Sequence, residues 1–221
     1  APVQRIGPTL PGTLVDPASF VVRDRPERDR PWVEICMITT PDGATEVNDK
    51  SAGLGGPADQ AMLRAWRSAC DVILVGAGTV RAEGYGLPSR QDLRIAVVSR
   101  SCDMDFSIPL FASGRGFLVT TLDAPDVPVE TVRAGNGDVD LGAAIARLQA
   151  RVVHVEGGPT LNAALLDAGL VDAINLTFSP RLAGVHDSDP VATAMNNPRQ
   201  FTLVDAAREA DFVFARYERA D

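Results

Sequence analysis

The sequence predicts an α/β fold with a central, mostly parallel sheet flanked by helices and an antiparallel C-terminal edge. Two observations lead to this prediction. Apolar strand patterns alternate with helical patterns through the middle of the 221-residue chain, whereas its end carries strand patterns only. In addition, two of the middle strands run into glycine turns that open into helices, as in the strand–turn–helix units of α/β proteins.

The predicted elements follow one another regularly from residue 31 onwards. The first helix carries apolar residues at i, i+3, i+4 and i+7 of one face, from Met62 to Ala69. Residues 1–30 hold many prolines and a cluster of charges, which indicates an extended or poorly ordered arm before one domain at 31–221. We predict strands at 31–39, 72–75, 94–98, 116–120, 152–155, 173–178, 201–204 and 211–217, and helices at 57–69, directly after Gly78, at 141–149 and at 159–168.

Composition and charge argue against several classes of protein. The formal net charge of −8 disfavours nonspecific binding to nucleic acid or to an anionic membrane. No apolar run approaches about 18 residues, so the sequence predicts no transmembrane helix. The three cysteines are scattered and odd in number, which argues against a disulfide framework and against a metal site. A reducing, cytoplasmic location is therefore expected.

The segment from Glu156 to Leu161 is the most informative motif. It follows the apolar run at 152–155 and reads Glu-Gly-Gly-Pro-Thr-Leu before a helical pattern. Paired glycines let a phosphate or ribose lie directly on the backbone, because no Cβ stands in the way. Thr160 and its neighbours would present free N–H groups at the positive end of the helix. The alternative is a tight crossover that binds no ligand.

A second unit of the same kind follows the strand at 72–75. The segment from Gly76 to Arg81 resembles the start of a dinucleotide-binding fingerprint, although Arg81 stands where the third glycine would be. Two such turns suggest a long, multiply charged ligand held at both ends. Ser99-Arg100, at the end of the next predicted strand, suits the 2′-phosphate of NADPH. The alternative there is an ordinary surface arginine.

Side chains suited to acid–base chemistry are scarce. His154 alternates within a predicted strand and is interpreted as a core or sheet residue, while His186 lies in a polar loop. Neither a Ser–His–Asp set nor zinc-ligand spacing is seen in the sequence. Anion-binding turns with few acid–base groups fit hydride transfer, in which the cofactor carries the chemistry and the protein orients it.

Together these motifs resemble the reductase domain of bacterial riboflavin biosynthesis, which is the C-terminal half of the bifunctional deaminase-reductase. They are also similar to its free-standing actinobacterial pyrimidine reductase relatives. The resemblance spans roughly residues 30–217, and its specific blocks are the segments 75–85 and 156–161. The zinc motif of the deaminase half is not present in this sequence, so only the reductive step is expected.

The resemblance implies a dihydrofolate-reductase-like fold, NADPH as hydride donor and a homodimer. It also implies a cis peptide between Gly157 and Gly158. The implied cofactor-binding residues are Gly76, Gly78, Thr79, Arg81, Ser99, Arg100, Glu156, Gly157, Gly158, Thr160 and Leu161. The implied substrate-binding residues are Met37, Thr39, Asn48, Ser51, Glu83 and Tyr85, with Lys50 or Arg64 near a substrate phosphate.

Asn48 marks a departure from the relatives. Some of them carry an acid at this position, and a carboxylate contacts the pterin in the dihydrofolate reductases. Asn48 can form hydrogen bonds but cannot carry that charge, which leaves the catalytic acid unassigned. At the other end of the chain, the predicted strand 211–217 is apolar on both faces. On an edge strand this pattern predicts a homodimer formed through 173–178 and 211–217.

Three functions are compatible with these patterns. The first is an NADPH-dependent reductase that acts on a ribosylaminopyrimidinone 5′-phosphate and gives its ribityl form in riboflavin biosynthesis. The second is a reductase of a pterin, a folate or another small carbonyl or imine on the same scaffold. The third is a non-catalytic NADPH-binding sensor. None of the three requires a nucleic acid, a metal or a membrane.

Overall fold

A computed structural model describes residues 3–5, 14–21, 24–48, 50–184, 188–193 and 195–220. One eleven-stranded sheet forms its centre. The strands are β1 Val3–Arg5, β2 Leu14–Val15, β3 Trp32–Thr39, β4 Val72–Gly76, β5 Arg94–Val98, β6 Gly116–Thr120, β7 Thr131–Arg133, β8 Val152–Val155, β9 Ala173–Phe178, β10 Phe201–Glu209 and β11 Phe212–Arg219. The helices are α1 Pro17–Phe20, α2 Pro57–Arg67, α3 Ala77–Glu83, α4 Pro109–Ala112, α5 Leu141–Arg147 and α6 Pro159–Asp167, with a 3₁₀ turn at Ser51–Gly53.

The sheet has a parallel part and an antiparallel part. Neighbouring strands lie in the order β2-β1-β10-β11-β9-β3-β8-β4-β5-β6-β7. The pairs from β9 through β3, β8, β4, β5 and β6 to β7 are all parallel. The pairs from β9 through β11, β10 and β1 to β2 are antiparallel. The predicted α/β fold with a mostly parallel sheet and an antiparallel C-terminal edge is thus confirmed.

Apolar side chains cover both faces of the parallel strands, and this explains why these strands appear in the sequence as unbroken apolar runs. On one face, α5 and α6 pack in a cluster with Val33 and Val153. On the other face, α3 and α4 pack in a cluster with Ile73. A third cluster joins α1, α2, β10 and β11 around Trp66 and Phe214. The sheet is therefore the middle layer of the molecule.

Several elements differ from their predicted bounds. The helix predicted at 57–69 ends at Arg67, because the Ser68 amide already closes the last turn on Arg64 and Ala65. The glycine turn predicted at 76–78 is wrong in detail, since α3 begins at Ala77 and Gly78 lies inside it. The one-turn helix α4 and the three-residue strand β7 were not predicted, because elements this short carry no periodic pattern.

The N-terminal arm packs on the domain wherever the structure describes it. β1 pairs antiparallel with β10 through Gln4 and Arg5, and α1 contacts α2. The Phe20 side chain is buried. The division into an arm at 1–30 and a domain at 31–221 stays a prediction.

The C-terminal strand does not lie where the sequence argument placed it. β11 is paired on both sides, with β9 and with β10, so it is not an edge strand. The apolar alternation around Phe214 reflects burial inside this protein, where Phe214 packs against α2. The edge-strand argument for a homodimer through 173–178 and 211–217 is therefore wrong, although the homodimer itself is not tested by this finding.

Candidate functional site

The candidate site lies at the carboxyl ends of the parallel strands. β3, β8 and β4 are adjacent and run in the same direction, so the segments after Thr39, Val155 and Gly76 meet at one edge of the sheet. Ligands of open α/β sheets bind in crevices at such an edge. A cavity of about 350 Å³ lies there, bounded by α2, by the loop that leads to it and by the segment after β8.

The two glycine units meet at this edge. The peptide between Gly157 and Gly158 is cis, which confirms the prediction made for it. The Gly76 amide donates to the Gly157 carbonyl at 2.7 Å, so the ends of β4 and β8 are joined there. A Cβ on Gly158 would lie 2.9 Å from Thr79 Oγ1, and one on Gly76 would lie 3.2 Å from the Gly158 nitrogen. Neither glycine leaves room for a side chain.

Helix α6 starts immediately after the cis turn. Gly158 is its N-cap and Pro159 its first residue. Thr160 is exposed in the first turn, as the anion-binding interpretation requires. The Leu161 side chain, in contrast, is buried in the main core, so only its backbone N–H could face a ligand. Gly78, in the first turn of α3, has open space where a Cβ would be.

The predicted substrate residues separate into two groups. Met37, Ser51, Glu83 and Tyr85 line the cavity, and Glu83 Oε1 accepts a hydrogen bond from the Ser51 amide at 2.7 Å. Thr39 and Asn48 are not among the lining residues.

Both outlying residues have local roles. The buried Thr39 hydroxyl faces the Thr40 and Ala44 carbonyls of the turn after β3, each at 3.2 Å. Asn48 is exposed and has a φ of 53°, a left-handed conformation that asparagine tolerates better than most residues. The structure therefore places Asn48 in a loop conformation that accounts for it without a ligand.

One wall of the cavity is a hydrogen-bonded set of Arg67, Glu156 and Tyr85. Arg67 donates from Nε to Glu156 Oε1 at 2.7 Å and from Nη2 to Oε2 at 2.6 Å. The Tyr85 hydroxyl donates to the same Oε2 and accepts from Arg67 Nη2 at 3.1 Å. Because Glu156 is engaged on both oxygens, it positions Arg67 and Tyr85 as well as bordering the cavity. The sequence did not single out Arg67.

The protonation states in this set follow from burial and charge. Burial alone would raise the pKa of Glu156, but the hydrogen bonds and charge of Arg67 outweigh it and hold the pKa below its ordinary value of 4.5. Burial, together with the charge of Glu156, raises the pKa of Tyr85 well above its ordinary value of 10.0. At neutral pH the set is therefore an ion pair with a neutral phenol.

His154 lies behind this wall and is fully buried, in agreement with its interpretation as a sheet residue. Its ring nitrogens lie 3.5 Å from Glu156 Oε1 and 3.9 Å from Glu34 Oε1. Glu34 is in turn paired with Arg25 at 2.8 Å and with Arg216 at 3.3 Å. A buried layer of paired charges thus extends inward from the cavity wall. His186, the other histidine, lies outside the described residues.

Asp59 is a site residue to which no role was assigned from the sequence. It lies in the first turn of α2 and lines the cavity. Burial raises its pKa above the ordinary value of 3.8, and a hydrogen bond with Thr177 acts in the opposite direction. Within the described part of the chain, no arginine or lysine forms an ion pair with Asp59. It is a carboxyl group that faces a cavity without a compensating cation.

The predicted 2′-phosphate residues lie apart from the cavity, at the end of β5. Ser99 is buried, and its hydroxyl accepts a hydrogen bond from the Cys102 amide at 3.1 Å, which gives it a structural role. The Arg100 side chain is 70% exposed and pairs with Asp138 at 2.8 Å. Arg81 donates to the Asp103 carbonyl at 3.0 Å. Arg100 has the freedom to contact a ligand that crosses the ends of β4 and β5.

Among the residues that the structure describes, no group of three or more His, Cys, Asp or Glu side chains could hold a metal ion. Among the described helices, none is long and apolar enough to cross a membrane.

Comparison with known proteins gives consistent matches. The family model of the RibD C-terminal domain matches residues 31–208. The 2,5-diamino-6-ribosylamino-4(3H)-pyrimidinone 5′-phosphate reductase of Methanothermobacter thermautotrophicus is 28% identical over 177 residues, 72% of this chain and 82% of the relative. The riboflavin biosynthesis protein RibD of Mycobacterium tuberculosis is 30% identical over 164 residues, 70% of this chain but only 43% of the relative. The chain thus spans less than half of that longer protein.

Solved structures show the same fold. A pyrimidine reductase-like protein from Corynebacterium diphtheriae superposes with a TM-score of 0.79 at 22% identity, covering 94% of this chain and 100% of the other. Dihydrofolate reductase from Enterococcus faecalis superposes with a TM-score of 0.51 at 14% identity, covering 86% of this chain and 97% of the other. The expectation of a dihydrofolate-reductase-like fold is therefore confirmed.

Proposed function

This chain belongs to the RibD C-terminal domain family, and from this premise we propose that it is an NADPH-dependent reductase of a ribosylaminopyrimidinone 5′-phosphate. The product is the ribityl form used in riboflavin biosynthesis. One observation carries the proposal beyond family membership. The Gly157–Gly158 turn meets Gly76 and Thr79 directly beside a cavity that holds Asp59, a carboxyl group with no compensating cation among the described residues.

The family and the fold imply a nicotinamide cofactor. The residues present fit such a group, because the open space at Gly78 leaves backbone free for a pyrophosphate. We assign the pyrophosphate to Gly76, Gly78, Thr79 and the α6 N–H groups of Thr160 and Leu161. The bound cofactor supplies the hydride from its nicotinamide ring. We assign the 2′-phosphate of NADPH to Arg100, supported by its exposed position at the end of β5.

The substrate is assigned to the cavity of about 350 Å³. Met37 and Trp66 give it apolar surface, and Ser51 and Glu83 give it polar groups. Reduction of an open-chain imine adds a hydride to carbon and a proton to nitrogen. We assign Asp59 as the donor of that proton, because it borders the cavity and burial shifts its pKa upward. Orientation of the reacting groups then provides much of the rate enhancement.

The substrate phosphate requires a cation at the rim of the cavity. Arg67 is unsuitable because its charge is already paired with Glu156, which together with Tyr85 engages Nε and Nη2. Lys50 and Arg64 are exposed and lie next to the lining residues Ser51 and Leu63. We therefore keep Lys50 and Arg64 as the two candidates for the phosphate contact.

A homodimer and a cytoplasmic location are parts of the same proposal. Leu203 is 53% exposed and Val204 is 37% exposed, and both lie on β10. Exposed apolar side chains on a strand support association with a second copy. The three cysteines are free, which suits a reducing compartment. Light scattering that reports a monomer at micromolar concentration would count against the homodimer.

Reduction of a pterin is the second candidate function, and Asp59 is the observation that favours it. Asn48 cannot supply the carboxylate that contacts the pterin in the dihydrofolate reductases, which argues against this function. Asp59 supplies a carboxylate in the cavity itself, so that objection does not hold. The match in fold to a dihydrofolate reductase agrees with this alternative.

An NADPH oxidation assay separates these functions. The purified protein is mixed with NADPH and either the ribosylaminopyrimidinone 5′-phosphate or dihydrofolate, and the loss of NADPH absorbance is followed. We expect loss with the pyrimidine phosphate. Loss with dihydrofolate alone would establish the pterin reductase in its place. Binding of NADPH without turnover of either compound would instead indicate a sensor.

A further inference from the structure

The N-terminal arm supplies part of the cavity wall, although it lies outside the matched family domain. The match to the RibD C-terminal domain begins at residue 31, whereas Phe20 of α1 lines the cavity. The local sequence explains how α1 forms. Asp16 caps it by accepting from the Ala18 amide at 3.0 Å, and Pro17 occupies its first position.

The Phe20 ring is fixed against the aromatic side of the cavity. It is 2% exposed and packs edge-to-face against Trp66, with the ring centroids 6.3 Å apart. Trp66 also lines the cavity, as do Met62 and Phe214 of the same apolar cluster. Aromatic pairs in this arrangement add to the stability that burial provides. The ring of Phe20 is therefore part of the cavity wall and not a surface contact.

The chain is tied to the domain on both sides of Phe20. Before it, β1 pairs with β10. After it, Arg25 donates to Glu34 Oε1 at 2.8 Å, with both side chains at 5% exposure or less. Arg28 and Arg30 both donate to the buried Asp172, at 2.9 and 2.7 Å. Phe20 thus reaches the cavity from a segment that is held in place by buried ion pairs.

The cavity has apolar and polar lining residues, which together fit a flat ring with polar edges. Phe20, Met62 and Trp66 are apolar, while Asp59 and Glu83 are polar. We propose that Phe20 is a specificity-determining residue, which limits the cavity to a single-ring pyrimidine where its ring packs against Trp66. This inference rests on the proposed function, since it takes the substrate to be a heteroaromatic compound.

Substitution of Phe20 tests the inference through substrate preference. Phe20→Ala removes the ring and enlarges the cavity beside Trp66. We expect the ratio of kcat/KM for the pyrimidine phosphate to that for dihydropterin to fall by about tenfold or more, which is the usual scale for apolar pocket contacts. Phe20→Leu should shift the ratio in the same direction by less. The dissociation constant of NADPH should stay within about twofold, because Phe20 packs on Trp66 and is not among the residues assigned to the pyrophosphate.

Val21→Ala is the matched control. Val21 is buried in the same cluster but does not line the cavity. This variant should lower stability without changing the substrate ratio. An unchanged ratio in both Phe20 variants, with folded protein, would overturn the inference.

Failure of the proposed function would look different. Wild-type protein that turned over neither compound would contradict the reductase function only. Binding of the pyrimidine phosphate and of dihydropterin, followed through tryptophan fluorescence, would then still test Phe20. A Phe20→Ala variant with wild-type relative affinities in that titration would refute its role.

Discussion

Arg67 holds Glu156 by two hydrogen bonds, from Nε to Oε1 at 2.7 Å and from Nη2 to Oε2 at 2.6 Å. Arg67 is the last residue of α2, and Glu156 immediately precedes the cis turn at Gly157. A two-point contact of guanidinium with carboxylate fixes orientation as well as distance. The helix that carries Asp59 is therefore locked to the turn that we assign to the cofactor.

Removal of the Arg67 guanidinium should destabilise the fold. Arg67→Met leaves Glu156, whose side chain is 8% exposed, without its main counter-charge. Loss of one partner of a largely buried ion pair costs roughly 3 kcal/mol. Chemical denaturation would measure the free energy of unfolding. Arg64→Ala on the exposed side of the same helix is the control and should change that free energy by less than about 0.5 kcal/mol. Equal effects of both substitutions would contradict a structural role for the pair.

The same ion pair should make stability depend on pH in the acid range. The folded-state pKa of Glu156 lies below its ordinary value of 4.5. Glu156 therefore stabilises the folded protein above its unfolded pKa, and this contribution is lost as the pH falls through the folded pKa. The difference in unfolding free energy between wild type and Glu156→Gln should accordingly shrink between about pH 6 and pH 3. A difference that stays constant over this range would show that Glu156 does not contribute through its charge.

The glycine units were predictable because their signal is local. A strand pattern followed by Gly157, Gly158 and Pro159 specifies strand, turn and helix within a few residues, and the structure has each of them. The mostly parallel sheet was also predictable, because strand patterns alternate with helical patterns along the middle of the chain. The same patterns could not show that β11 lies inside the sheet, because strand order depends on long-range pairing.

The cavity was harder to predict because it is made by contacts between distant segments. Asp59 becomes a site residue only when α2 folds over β9 and brings it to Thr177. Phe20 is buried only because α1 meets Trp66, and its own neighbourhood shows no periodic pattern. The roles of both residues therefore required the tertiary structure.

Asp59→Asn tests the proton assignment. We expect kcat with the pyrimidine phosphate to fall by about a hundredfold, the lower end of the range for general acid catalysis. The dissociation constant of NADPH should remain near wild type, because the cofactor is assigned to the glycine units. Asp105→Asn, at an exposed loop position, is the control and should leave both quantities unchanged. Wild-type kcat in the Asp59 variant would remove this residue from the reaction.

The same variant has a separate consequence for stability. Because burial raises the folded-state pKa of Asp59 above 3.8, the charged form destabilises the fold, and stability is lost as the pH rises through that pKa. Asp59→Asn removes the ionisable group. It should therefore unfold at a higher denaturant concentration than wild type at pH 7, and this advantage should disappear near about pH 3. A variant that is less stable at neutral pH would contradict the sign of the shift.

Arg100→Ala tests the preference for NADPH over NADH. The Arg100–Asp138 pair is exposed on both sides, so it contributes little to stability and can open to admit a phosphate. We expect affinity for NADPH to fall by about tenfold and affinity for NADH to stay unchanged, because only NADPH carries the 2′-phosphate. Asp138→Asn should not weaken NADPH binding, since it frees Arg100. Equal losses for both cofactors would mean that Arg100 acts on the fold instead.

Gly158→Ala tests whether the cis turn forms the cofactor site. The added Cβ would lie 2.9 Å from Thr79 Oγ1, so one of the two segments must move. We expect affinity for NADPH to fall by about tenfold or more, while the free energy of unfolding falls by only about 1 kcal/mol, since a small local shift relieves the contact. Calorimetric titration and chemical denaturation would measure the two effects. Gly86→Ala is the control, because a Cβ there meets nothing within 4 Å, and it should change neither. A Gly158→Ala variant with a much lower free energy of unfolding but wild-type affinity for NADPH would contradict this assignment. The turn would then be a packing element, and the cofactor would have to be placed elsewhere.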